Sequence, residues 1–402
     1  MPVDLSCIPG RAKRRAAPSF KRWGMFLIVL IATGGIAAYF ISTSTADHTA
    51  AFWFCFPGIL LAIGGGLFAL RWLVYLTGEW LADGWDSARE WDLAQDIRRG
   101  QRSLSLLGYV VHLPHVISAE SISLQLLMPE SIMLPLQVDE SGERLIRHAS
   151  FSDAGSPALV RVKERLRALL ADPSLQNVFQ RLPQKAPLAV LFQLSPGISV
   201  SIEEHSVLQR LVKDIIGFPF NITFVGGEGM QAVDSWLDSP DIMQNLLVVA
   251  LNLSEKIIDG AGEAAIALLM SSPEAREVTQ SVVAEIRRPE QTKTKSEMSS
   301  VIMQALQWGE TTPDEIKQIW LTGTGASNKA SALLSTAGVR FPFAGEPCDI
   351  DLKTGNTGIV SPWLAITIAA DRAGQCESPQ LVMCVPDEIS LPWLMTVSPV
   401  EK

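Results

Sequence analysis

An α/β domain carried on a two-helix membrane hairpin is the architecture the sequence predicts, and two observations predict it. Residues 23–41 and 51–70 are uncharged apolar runs separated by a short polar link. From about residue 100 onward, short apolar runs alternate with amphipathic stretches, the pattern of strands and helices taken in turn.

The run "WGMFLIVLIATGGIAAYFI" (23–41) is long enough to cross a hydrocarbon core of about 30 Å as a helix. After "STSTADHTA", the run "AFWFCFPGILLAIGGGLFAL" (51–70) is of spanning length as well, so the two form an antiparallel hairpin. A cleaved signal peptide fits less well, because the first run is long and a second span follows at once. Arg11, Lys13, Arg14, Arg15, Lys21 and Arg22 precede the first span, and the loop between the spans has no Lys or Arg. The positive-inside rule therefore puts both ends on the cytoplasmic side, which in a bacterium means the inner membrane. Gly34, Gly35, Gly58, Gly64, Gly65 and Gly66 are candidates for close helix approach. Trp72, Trp80, Trp85 and Trp91 then stand among charges, as on a helix leaving through the headgroup layer.

Composition narrows the function classes. Of 402 residues, 48% are hydrophobic, with the excess before residue 77, and the net charge of −9 argues against a nucleic-acid surface. The five cysteines, Cys7, Cys55, Cys348, Cys376 and Cys384, form no CxxC pair and suit a reducing compartment. No Walker A, G-x-S-x-G or H-E-x-x-H motif occurs. "HLPH" (112–115) lacks further local metal ligands, so neither metal nor cofactor is expected.

The chain thus divides into a basic N-terminus (1–22), the hairpin (23–76), a juxtamembrane helix or linker (77–103) and an α/β domain (104–402). Expected strands are 104–111, 187–194, 221–227, 245–253, 264–271, 318–323 and 380–386, mostly apolar throughout and hence covered on both faces. Expected helices are 156–182, 203–217, 228–244 and 295–309. The polar "RRPEQTKTKSE" (287–297) reads as an exposed loop between halves at about 104–286 and 298–402, and no close internal repeat is visible.

The order of these pieces carries a resemblance. "FNITFVGGEGMQAVDSWL", "NLLVVALNL" and "DGAGEAAIALLMS" are followed by "IWLTGTGAS" and "KTGNTGIVSPWLAITIAA". This order resembles the thiolase-like superfamily and, within it, the β-ketoacyl synthases. The resemblance implies a layered αβαβα fold and two-fold dimers formed through the nucleophile half. It also implies a cysteine in the turn before the third helix and two histidines in the later motifs.

Those residues are missing at the matching positions. The nucleophile position falls on Gly226, Gly227 or Glu228, the first histidine on Leu321 or Thr322, and the second on Asn356, while Lys353 matches the lysine. A thiolate accepts an acyl group and imidazoles manage the proton traffic, so their loss leads to the expectation of no enzyme and no catalytic residue. All five histidines precede residue 206, and none lies in the later motifs. Glu228 reads as a helix cap or a base, and Lys353 as a charge or a bond to a neighbouring turn.

The expected function is a membrane-anchored binding or scaffold protein without catalysis. Its expected partners are the bilayer, a second copy, and a protein such as a secreted effector or a component of a bacterial type VI secretion machine. The alternative is a divergent membrane-bound acyltransferase or condensing enzyme acting on acyl thioesters or lipids, with Glu228, Asn356 and Lys353 near its centre.

Overall fold

The computed structural model describes residues 3, 5–42, 50–115, 121–128, 134–138, 142–183, 187–198, 200–217, 220–238, 245–272, 281–292, 297–323, 334–335, 337–385 and 391–400. Two compact units divide the chain, residues 4–96 and residues 97–402 together with Val3.

In the first unit, α1 (Phe20–Ser42) packs along α2 (Ala50–Gly100). The rings of Phe20, Trp23, Phe68 and Trp72 meet at centroid distances of 5.4 to 5.9 Å. Gly64 makes the close approach, since a Cβ there would sit 2.3 Å from Leu27 Cδ2. Gly35, Gly58, Gly65 and Gly66 face open space, so the sequence offered more packing glycines than the helix pair uses. Both helices contain stretches of mean hydropathy 1.9, long and apolar enough to cross a membrane. The second does not end with its apolar run: α2 continues as one helix through residues 77–100, with Trp80 and Trp91 exposed.

The second unit is built on one mixed sheet of eleven strands. In chain order its strands are β1 (Ser103–His112), β4 (Pro187–Leu194), β5 (Asn221–Val225), β6 (Asn245–Asn252), β7 (Ala264–Ser271), β8 (Ala284–Arg287), β9 (Glu290–Gln291), β10 (Gln318–Gly323), β11 (Cys348–Asp349), β12 (Gln380–Val385) and β13 (Trp393–Ser398). A separate hairpin pairs β2 (Leu136–Val138) with β3 (Leu145–Arg147).

The strand order β5-β4-β6-β7-β1 continues into β8-β13-β12-β10-β11, with β9 beside β13. Counting β9 apart, each half holds five strands in the order third, second, fourth, fifth, first, and the fifth runs antiparallel to its neighbours. The chain therefore contains a repeat that its sequence does not show. The halves join where β1 pairs antiparallel with β8, from Ser103↔Arg287 to Leu106↔Ala284.

The helices follow their sequence signals. Asp172 accepts from Ser174 N at 2.9 Å and Pro173 takes the first helical position, so the expected helix 156–182 breaks into α4 (Ala158–Leu170) and α5 (Pro173–Arg181). A Ser201/Glu204 capping box starts α6 (Ile202–Ile216). Strands β6 and β7 are almost wholly buried and β4 is buried over Leu188–Leu191, as their mainly apolar runs require. The helices α4, α5 and α6 cover one sheet face, while α7 (Gly229–Leu237) and α10 (Ser361–Cys376) lie in the other core. Helix α10 is buried from Ser361 to Ala370 and touches strands of both halves, from β7 and β1 to β12 and β10. A third apolar cluster lies under α8 (Met298–Trp308).

One expectation fails clearly. The segment expected as an exposed loop begins inside β8 and holds buried Arg288, Glu290 and Thr292. Arg288 donates to Asp234 Oδ1 and Asp238 Oδ1, both at 2.6 Å, while Arg99 pairs with Asp238 from the other side. Charge there marks a buried ion network, because the attraction replaces the lost hydration. Arg288→Ala is expected to destabilise the protein by about 3–5 kcal/mol, since it removes the buried guanidinium that Asp234 and Asp238 both face. A second change, Asp234→Asn, should recover part of that loss in chemical denaturation, because it removes a buried negative charge that the guanidinium no longer offsets.

Candidate functional site

Two turns of the first half and one of the second meet at one end of the sheet. The turn Gly226–Glu228 joins β5 to α7, and Gly227 adopts φ +154°, where a Cβ would lie 2.8 Å from Ala232 Cβ. Gln193, near the end of β4, donates to Gly227 O and accepts from Trp363 Nε1, each at 2.7 Å. Gly229, at φ +45°, comes within 3.3 Å of Pro362 when a Cβ is built on it. These contacts set the start of α7 beside the start of α10.

Glu228 stands at the N-cap of α7 with an exposed side chain that makes no capping bond. The expected capping role is therefore corrected. The carboxylate is free to act outward, and the first amides of α7 have no side-chain acceptor among the described residues.

The second contact is a backbone crossing. Gly262 N donates to Asn356 O at 3.0 Å, and Asn356 N donates to Gly260 O at 2.8 Å. A Cβ on Gly262 would lie 2.0 Å from Thr354 O, and one on Gly355, at φ +77°, 2.6 Å from Gly262 N. Asn356 Oδ1 accepts from Gly358 N at 2.8 Å, which turns its Nδ2 away with no partner among the described residues. Asn252, at the end of β6, donates to Gly262 O at 3.0 Å and faces Gly358.

Leu321 and Thr322 do not reach this surface. Leu321 is buried in the cluster under α8. Thr322 donates to buried Asp351 Oδ1 and Gly323 N to its Oδ2, both at 2.9 Å. Burial pushes the Asp351 carboxyl up to about 8, with Asp349 adding to the rise and the Thr322 and Gly323 bonds opposing it. Burial also pushes the Cys348 thiol up to about 11 and the Cys384 thiol higher still, so both remain thiols at neutral pH.

Lys353 donates from Nζ to Met128 O. Its own carbonyl accepts from His115 Nε2 at 2.8 Å, which places the imidazole proton on Nε2 and leaves Nδ1 buried with no partner among the described residues. Burial lowers the His115 pKa, against the bond to Lys353, so the ring is neutral. The later motifs contain no histidine, yet the fold delivers one to Lys353 from 238 residues away. His112 faces elsewhere, into a cleft of about 620 Å³ with Arg165 and Asp371. Among the described residues no group of His, Cys, Asp and Glu is placed to hold a metal.

Sequence reasoning also missed Gln193 and Asn252. Each is a lone polar residue near the end of an apolar strand, which is the signal that could have found them.

No protein-family model matches the sequence, and no curated protein matches it. Solved structures do match. The ketosynthase–chain length factor of PfaC superposes with TM-score 0.51 at 12% identity, over 75% of this chain and 43% of that one. The fold is thiolase-like. Human mitochondrial 3-ketoacyl-CoA thiolase aligns at TM-score 0.48 and 6% identity, over 75% of this chain and 99% of its own. OleA of Xanthomonas campestris aligns at 0.45 and 12%, over 74% and 98%. The expectation that the chain is not an enzyme is corrected, because the PfaC structure that shares its fold bears the name of a ketosynthase.

The titration of Asp351 yields a prediction. Its unfolded carboxyl titrates near the usual value of about 4, whereas the folded one titrates at about 8. The folded state holds this proton where the unfolded state has released it, so stability is full below pH ~4 and falls as pH rises toward 8. Asp351→Asn, whose amide can donate to Thr322 and accept from Gly323, should flatten that slope. Thermal midpoints from pH 4.5 to 8.5 test this, and parallel curves for variant and parent would contradict the assignment.

Proposed function

We propose that this protein is a membrane-anchored acyltransferase or condensing enzyme of divergent type, acting on acyl thioesters at the surface of a bacterial inner membrane. The observation that carries this reading is the meeting of α7 and α10 at their starts, which sets the exposed carboxylate of Glu228 and the uncapped first amides of α7 beside the helix that follows the turn of Asn356. The hairpin α1–α2, with its basic N-terminal flank, supports anchoring with both termini on the cytoplasmic side.

The chemistry follows from these groups. Glu228 takes the proton of an acceptor hydroxyl or water as its oxygen attacks the thioester carbonyl. The amides that open α7 and the Nδ2 of Asn356 donate to the carbonyl oxygen as negative charge gathers on it. The C–S bond breaks, and the thiolate leaves with the proton that Glu228 returns. Neutral His115 and Lys353 hold the turn that carries Asn356. Nothing in the described residues favours a secretion-adaptor role over this one.

The full-length protein in nanodiscs, given labelled acyl-CoA or acyl-carrier protein, should transfer or hydrolyse the acyl group. Glu228→Gln should lower the rate about 100-fold, and Asn356→Ala by a comparable factor. A folded protein that leaves acyl thioesters of every chain length intact would overturn the proposal, as would an unchanged rate in Glu228→Gln.

A further inference from the structure

Beyond the basic flank itself, the first unit contains an arrangement that anchoring does not require. Residues 9–14, outside any helix or strand, run along α2 and are tied to it at every turn. Arg89 Nε donates to Pro9 O at 2.8 Å and Trp85 Nε1 to Gly10 O at 3.2 Å. Ala12 N donates to Asp86 Oδ1 at 2.9 Å. Arg14 reaches Asp83 at 2.7 Å, Glu79 at 3.2 Å and Asp86 at 3.4 Å, and Arg11 lies 3.9 Å from Glu90. The spacing of Glu79, Asp83, Asp86 and Glu90 places all four carboxylates on one face of α2, an acidic ladder answered by the N-terminal arginines.

The ladder points away from the bilayer. The aromatic group of Phe20, Trp23, Phe68 and Trp72 marks one end of the paired helices, where tryptophans favour the membrane edge. From Trp72, Glu79 lies about 10 Å and Glu90 about 27 Å further along the helix at about 1.5 Å per residue. Ionic screening acts over about 8 Å at physiological salt, so the docked arginines feel little of a charged bilayer surface. Undocked, the same segment is joined through residues 15–19 to the first turn of α1 and lies within reach of the headgroups.

Within the ladder Glu79 and Asp86 are mostly covered, at 19% and 18% side-chain exposure, while the remaining members are open. Side-chain exposures are 74% for Arg11, 52% for Arg14, 58% for Asp83 and 64% for Glu90, and ion pairs this open hold weakly and are screened by salt. Basic residues beside an anionic leaflet are attracted individually, and six stand between residues 11 and 22.

We propose that residues 9–14 form a two-state strap. It docks on the acidic ladder of α2 in a neutral bilayer and transfers to anionic phospholipid headgroups when these surround the hairpin, baring Glu79, Asp83, Asp86 and Glu90. The inference rests on the anchoring reading, which co-flotation of the full-length protein with vesicles checks separately.

The test is a distance between nitroxide labels at Gly10→Cys and Ala88→Cys in the full-length chain with its native cysteines changed to alanine, in nanodiscs. In phosphatidylcholine the expected result is one short distance, and in nanodiscs rich in phosphatidylglycerol a longer one becomes dominant. Asp83→Asn with Asp86→Asn should give the longer distance even in phosphatidylcholine. Amide exchange of residues 11–15 in the unlabelled native protein should rise in the same anionic nanodiscs, which keeps the test independent of the cysteine changes. The same distance in both lipids overturns the proposal. Release by inorganic phosphate at matched ionic strength in neutral nanodiscs would overturn the lipid assignment.

Discussion

Gly262 and Gly355 cross backbone against backbone, and the geometry of the site depends on that crossing. Neither position has room for a Cβ, and the two hydrogen bonds beside them join the turn before β7 to the turn that leads into α10. The first turn belongs to the first half of the repeat and the second to the other half. Because main chain meets main chain, the halves keep one register at this point, and Asn356 is held from both sides. The neighbouring groups follow: Asn252 bonds Gly262 O, Gly358 packs against Asn252, and Pro362 closes on Gly229. A larger residue at the crossing would displace the start of α10 and with it the contact to α7.

Buried charge braces this arrangement at two places. Glu263, fully buried next to the crossing, accepts from Phe151 N, Ser254 N and Arg161. It therefore ties the crossing to α4 and to the turn that follows β6. Arg288, fully buried after β8, fixes the far end of α7 through Asp234 and Asp238. Such pairs add little net stability compared with apolar packing, but an unpaired charge in either place is costly. That asymmetry penalises any arrangement of the two halves in which either pair is broken.

The strands were legible because a strand covered on both faces must be mainly apolar, and β4, β6, β7, β10 and β12 are, with polar residues only near their ends. Strand β8 was not, since "AEIR" is short and half polar, and its pairing with β1 depends on the distant chain. The repeat was hidden for a related reason: it resides in strand order, which no local pattern records. At the site, Glu228, Lys353 and Asn356 could be named because they stand in glycine-marked turns. His115, Asp351 and Gln193 act through contacts made by the tertiary fold, and a list of histidine positions along the chain could not foresee that one would reach Lys353.

A site built from an exposed carboxylate, helix-start amides and a side-chain amide differs physically from one built on a thiolate and two imidazoles. Its donors carry no titrating proton, so the electrostatic part of the work is fixed at all moderate pH values. In the proposed reaction, proton transfer is left to one group, Glu228, which faces water. The strongly perturbed acid, Asp351, lies beneath the surface and spends both oxygens on Thr322 and Gly323. Its protonation therefore bears on the end of β10 and on folding rather than on substrate. In the proposed reaction, separating the titrating base from the fixed donors gives a thiolase-like scaffold a means to polarise a carbonyl that needs neither a thiolate nor an imidazole.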